Sequence, residues 1–211
     1  MDWLAAHGPV VNLIVNLGML VVWVAYLQLF LITYLRSRKP RLIINRGSGR
    51  DIGSVILVSN MSQEPVYPQN AYCTIHHADA SYSATITDRE ELLPTDAAER
   101  PEGVTSHGPL GRGEFMSIGT FRNILEITAA AAEGCPDELD AHADRIRSVE
   151  IMVVGAFGGD DLEIAAKREY RIDTGHDPWR VIPVGPATRQ ISSRRERKRI
   201  RRMITDELRQ G

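Results

Sequence analysis

Cys73, His76 and His77 crowd into five residues and are side chains of metal-ligating type. The segment Ala71–Ala78 (AYCTIHHA) reads as a strand, so Ala71, Cys73, Ile75 and His77 share one face and His76 takes the other. A zinc site would then need further ligands from a distance, such as His107 or His142, and the tight repeated pairs of zinc-binding motifs are missing. Cys73 is therefore expected in a core, with no metal. Arg46–Gly53 (RGSGRDIG) superficially resembles a phosphate-cradling loop. Its glycine spacing fits neither G-x-G-x-x-G nor the P-loop, and a strand follows it where a helix should, so it reads as a turn between strands. No Ser/His/Asp order, paired-carboxylate motif or nucleophile elbow emerges. The chain is expected not to be an enzyme and to need no cofactor.

What the sequence offers instead is charge in blocks. Arg36, Arg38, Lys39 and Arg41 form a cationic collar around Pro40. Residues 42–173 carry 11 Lys/Arg against 22 Asp/Glu, a net of −11. Residues 189–211 carry nine Lys/Arg against three Asp/Glu, a net of +6. Within that tail Arg194, Arg195, Arg197, Lys198, Arg199, Arg201 and Arg202 are the cations placed to meet a membrane surface or an acidic partner.

The element that must position all of this is Val10–Leu35, 26 residues without a formal charge. As a helix it spans ~39 Å at ~1.5 Å per residue, against a hydrocarbon core of ~30 Å. The preceding residues 1–9 hold no Lys or Arg and no cleavage site follows, which argues against a secretory signal. The cationic collar after the span is a stop-transfer pattern. By the positive-inside rule it puts the N-terminus outside and everything after Arg36 in the cytoplasm, with the inner (plasma) membrane as the location. On that side Cys73 and Cys135 are expected as thiols, and the Asn60-Met61-Ser62 match has no glycosylation meaning. Asn12, Asn16, Trp23 and Phe30 fall on one side of this helix. Amides in hydrocarbon seek partners, so this stripe is the expected helix–helix contact of a homo-oligomer.

Residues 36–41 form the collar and 42–173 a soluble domain. Strands are expected at Arg41–Arg46, Gly53–Asn60, Ala71–Ala78, Ala80–Thr87, Arg112–Gly119, Val149–Phe157 and Leu162–Ile172, with Asn60–Gln69 a loop. The third and fourth should pair as a hairpin around Asp79. A helix should start at Thr120 as N-cap and stop near Gly134, followed by a short helical turn from Pro136. Asp88–Pro109 is a long acidic loop. Residues 174–190 read as a Pro/Gly linker able to lie against the domain through Trp179, Val181 and Ile182. Residues 191–211 read as a basic amphipathic helix with a Ser193/Glu196 capping box and an apolar stripe of Ile200, Met203, Ile204 and Leu208. That helix is expected to add little core and to be dispensable for folding. It could touch anionic lipid, the acidic domain of its own or a neighbouring chain, or simply solvent; nucleic acid is the least favoured partner.

The fold class expected is α+β, mainly β: a single transmembrane helix, an immunoglobulin-like antiparallel β-sandwich of about seven strands with one inserted helix, and a basic C-terminal helix. The sandwich lacks the Cys…Trp…Cys hallmark, so the likeness is to the architecture alone. The function expected is a single-pass, membrane-anchored binding or assembly module that presents this domain to a protein partner, as an oligomer. The alternative is a subunit of an oligomeric channel or transporter.

Overall fold

The computed structural model of the chain describes residues 2–37, 39–86, 108–136, 138–158 and 163–210. It divides into two compact units, Met1–Lys39 and Pro40–Gly211. Most of the acidic loop expected at 88–109, the Gly159-Asp160 turn and Leu162 lie outside the described residues.

The first unit is one helix, α1 (Asp2–Ser37). It begins well before the uncharged stretch, takes in the residues expected as a short external N-terminus, and runs through Pro9. It stops short of Pro40, whose ring disfavours helical backbone in the residue before it. Over His7–Leu35 it is long and apolar enough to cross a membrane. Apolar side chains are exposed on every side of it, Trp23 and Tyr26 at 70 %.

The second unit holds nine strands, two α-helices and one 3-10 helix among its described residues. The strands are β1 (Leu42–Arg46), β2 (Val55–Asn60), β3 (Val66–His77), β4 (Ser81–Thr85), β5 (Phe115–Thr120), β6 (Ile146–Phe157), β7 (Ile164–Asp173), β8 (Arg180–Pro183) and β9 (Arg189–Ile191). Helix α2 (Phe121–Ala131) follows β5, the 3-10 helix (Leu139–Arg145) precedes β6, and α3 (Arg194–Gln210) ends the chain. All pairings are antiparallel. One sheet runs β1-β2-β5; the other runs β4-β3-β6-β7-β8, with β9 also on β7.

The inward faces are those that alternation predicts. Ile44, Ile56 and Val58 of the first sheet meet Cys73, Ile75, Ile151, Val153, Ala166 and Tyr170 of the second in one continuous core. Helix α2 closes this core, burying Phe121, Ile124, Leu125, Ile127, Thr128 and Ala129, with Phe121 edge-on to Tyr170 at 4.8 Å. Thr120 caps it, accepting the Asn123 N–H at 3.3 Å. Gly134, beyond its end, has φ +75°, the left-handed backbone that suits glycine.

Two expectations need correction. Asn60–Gln69 is not loop throughout, because β3 starts at Val66 and carries Pro68. There β3 pairs with β6 and, at Val66, with Leu110; β4 joins only from Tyr72, and the register shifts between Pro68 and Asn70. A strand tolerates proline at such a place. Gly155 faces it; a Cβ there would lie 2.7 Å from the Tyr67 carbonyl oxygen. The 174–190 stretch, read as a linker, contains β8 and most of β9, which ends at Ile191; both extend the larger sheet.

That stretch also ties the sheets together. The outer edge of β1 would otherwise present bare backbone, a liability in an edge strand. Gln190 covers Leu42 on both sides: its Oε1 accepts the Leu42 N–H (3.1 Å) and its Nε2 donates to the Leu42 carbonyl (2.5 Å). Thr188 Oγ1 does the same for Ile44, at 2.9 and 3.1 Å. Arg168, the one charge on the inward face of β7, adds a bond to the Ile44 carbonyl at 2.7 Å and lies over the Tyr170 ring. On the opposite margin Val66 and Leu110 exchange backbone bonds of 3.0 and 2.7 Å.

Candidate functional site

Helix α3 begins where Ser193 and Glu196 cap one another. The Glu196 N–H donates to Ser193 Oγ (3.2 Å) and Ser193 Oγ donates to Glu196 Oε2 (2.7 Å). Arg189 Nη2 reaches the other carboxylate oxygen at 2.6 Å. The Ser193 hydrogen bond, helped by the Arg189 charge, holds the Glu196 carboxyl below its ordinary value of 4.5.

The helix lies on the outer face of the larger sheet. Ile200, with Met203 and Ile204 beside it, packs on Tyr72, Met152, Val154, Ala165 and Ile191. This second small core is separate from the one between the sheets, and it departs from the expectation that the tail adds little core. Its signal was present in the sequence: Tyr72, Met152, Val154 and Ala165 are apolar residues on strand faces that alternation alone assigns to solvent. Arg197 is drawn into the seam, only 9 % exposed, its Nε donating to the Glu163 carbonyl at 2.7 Å. Arg201 Nε bonds the Glu163 carboxylate at 3.1 Å. Sequence reasoning did not single out Glu163.

With Ile200 buried and Met203 and Ile204 half-buried on the sheet, α3 shows its cations outward; the Leu208 side chain lies outside the described residues. Arg194, Arg195, Lys198, Arg199, Arg202 and Arg209 are exposed, with Asp206 the described carboxylate among them. At about 100° per residue, Arg195, Lys198, Arg199 and Arg202 centre on the side opposite Arg197, Ile200 and Ile204. Lys198, Arg201, Arg202, Thr205, Asp206 and Arg209 line an open groove of about 360 Å3 along it. Of the seven tail cations singled out in the sequence, Arg197 thus holds the helix to the sheet, Arg201 sits at the seam, and the other five face outward.

The remaining candidates are placed as follows. Asn12, Asn16, Trp23 and Phe30 are exposed on α1, and the Phe30 and Tyr34 rings stack at 6.0 Å. Lys39 and Arg41 are exposed, and the Arg41 N–H donates to Ser62 Oγ at 2.7 Å. Arg38 and the side chain of Arg36 lie outside the described residues. Cys73 is buried in the core, where burial pushes its thiol up to about 12 against a weaker opposing hydrogen bond to Thr128. Cys73 and Cys135 are both buried and not joined in a disulfide. His77 is buried edge-on to the Tyr82 ring, while His76 Nδ1 lies 2.9 Å from Ser81 Oγ on the other face. Among the described residues no three or more His, Cys, Asp or Glu come together as a metal cluster. Gly47–Gly53 makes the turn between β1 and β2, as its spacing predicts. No protein-family model, curated protein or solved structure matches this chain.

Proposed function

We propose that this chain is a single-pass, membrane-anchored binding or assembly module, whose soluble domain meets an acidic protein surface through the outward face of α3. Helix α1 crosses the inner (plasma) membrane with its N-terminus outside and the cationic collar on the cytoplasmic side. The Asn12/Asn16/Trp23/Phe30 stripe brings copies together in the bilayer. The domain is an immunoglobulin-like sandwich, and the strand order supports this reading. Lettered in sequence, β1 to β7 give A-B-E against D-C-F-G, which is the A-B-E-D against C-F-G order with the fourth strand moved to the other sheet.

One observation carries the choice of partner. Ile200, Met203 and Ile204 of α3 are spent on its own sheet, while Arg194, Arg195, Lys198, Arg199 and Arg202 stay exposed. An interfacial helix binds lipid by burying its apolar face among the acyl chains. That face is occupied here, so what remains to be recognised is charge, and the docked helix presents it as a rigid row. Such a row steers encounter and sets specificity.

A photo-reactive residue placed at Arg202 in the full-length membrane protein tests this. The expected product is a covalent adduct to protein, lost at high salt and lost when Arg195, Lys198 and Arg199 become Gln. An adduct to lipid alone, or one indifferent to salt and to those substitutions, would overturn the proposal.

A further inference from the structure

A second cationic feature lies away from α3. Arg46 ends β1, Arg50 sits in the turn before β2, and Arg180 starts β8; the three line one cavity of about 410 Å3, walled by Val181, Ile182 and Pro183. That volume is in the range of small-molecule sites.

The site is rigidly built. The turn is sealed to β8 by the Val181 N–H on the Arg50 carbonyl (2.9 Å) and the Ile52 N–H on the Trp179 carbonyl (2.8 Å), and Arg46 Nη1 donates to the Val181 carbonyl. Gly49 gives the turn its shape, at φ +94°, where a Cβ would lie 2.8 Å from the buried Ser54 hydroxyl. The turn and β8 that carry these arginines thus share a backbone that does not have to reorganise around a ligand.

Arg46, Arg50 and Arg180 lack a carboxylate at ion-pair distance among the described residues. Several other cations of this domain find carboxylates: Arg122 with Glu126 and Asp140, Arg145 with Asp79, Lys167 with Glu150. The carboxylates nearest in the fold, Asp51 and Asp173, face Arg180 across the strands without reaching ion-pair distance, and each accepts a backbone N–H of its own turn. Asp51 Oδ1 accepts the Gly53 N–H at 2.8 Å. Asp173 accepts the Gly175 N–H at 3.2 Å and lies 3.3 Å from His176 Nδ1. Three like charges around one cavity, in a domain rich in acids, repel one another until an anion enters.

We propose that this cavity binds a phosphate monoester, free in solution or as the headgroup of a lipid. Planar guanidinium forks match the oxygens of a phosphate and bind it bidentately. A dianionic group answers three cations better than a single carboxylate does. Val181, Ile182 and Pro183 leave an aliphatic wall for the organic substituent. This inference does not rest on the role given to α3.

The test uses the full chain in nonionic detergent with Trp3→Phe and Trp23→Phe, so that Trp179, adjacent to Arg180, is the remaining indole. Inorganic phosphate is titrated against chloride at equal ionic strength. A second arm compares nanodiscs of phosphatidylcholine with discs that also contain phosphatidic acid. The expected result is a saturable change in Trp179 fluorescence with phosphate in at least one form, weakened about tenfold or more in the Arg50→Gln/Arg180→Gln variant. Both of those side chains are exposed, so the variant should melt as the parent does. A response to inorganic phosphate alone assigns a soluble ligand; a response confined to phosphatidic acid discs, or stronger there, assigns a lipid headgroup. No saturable response in either arm, or an undiminished one in the variant, would overturn the proposal.

Discussion

The two long helices of this molecule solve opposite problems. Helix α1 is apolar all round and, among the described residues, exposed along its span. Helix α3 is apolar along one stripe only, and its own sheet takes up Ile200, Met203 and Ile204 of that stripe. An uncovered apolar cylinder needs a solvent of its own kind, and a bilayer is one. A covered stripe needs nothing further, which leaves α3 available through its charge. The difference teaches that the two ends of the chain have different interaction currencies, hydrocarbon at one and electrostatics at the other.

The largest effect should come from placing charge on α1. Val21→Arg with Val24→Arg puts two cations near mid-span, each costing about 2.5–3.5 kcal/mol on insertion scales. Most of that variant should leave the membrane pellet on alkaline extraction, and unchanged retention would break the comparison from the α1 side. Next comes Ile200→Ala, which hollows the small core under α3. A cost of about 2–3 kcal/mol is expected, read as loss of amide-exchange protection across α3 and its neighbours Tyr72 and Val154 while the main core keeps its own. Arg199→Gln and Arg202→Gln, on the outward face, should leave that protection within about 0.5 kcal/mol of the parent. If the outward arginines matter to docking as much as Ile200 does, the division between covered stripe and free charge is wrong.

The smallest effect is in the cap. The Glu196 carboxyl is held below its ordinary value when folded, so the unfolded chain takes up its proton first as pH falls. Its contribution to α3 is in place above 4.5 and is lost as pH drops through the lowered folded value. Protection in the first turn of α3 should therefore weaken on acidification in the parent, and the contribution should be missing at every pH in Glu196→Gln.

Much of this was legible from alternation and punctuation. The inward set of β7 (Ile164, Ala166, Tyr170, Ile172), the Thr120 cap, the β3–β4 hairpin around Asp79 and the apolar rod of α1 follow from local pattern alone. What escaped was non-local. Pro183 and the short reach of β8 and β9 look like linker chemistry, and only the vacant edges of β7 and β1 turn that stretch into structure. Arg168 breaks the alternation of β7 for a reason found on another sheet, the Ile44 carbonyl that it shares with Thr188. The place of α3 was written in the surplus apolar residues Tyr72, Met152, Val154 and Ala165, but a surplus does not say what will cover it. The trio Arg46, Arg50 and Arg180 spans well over a hundred residues of sequence and becomes a site only through the turn-to-β8 seal.

The account stands on α1 being held in lipid. The direct measurement is sedimentation of the wild-type chain after purification, with and without detergent. The account predicts a protein that stays dispersed only with detergent or lipid bound to it and aggregates when they are removed. A compact, detergent-free monomer in aqueous buffer would contradict it.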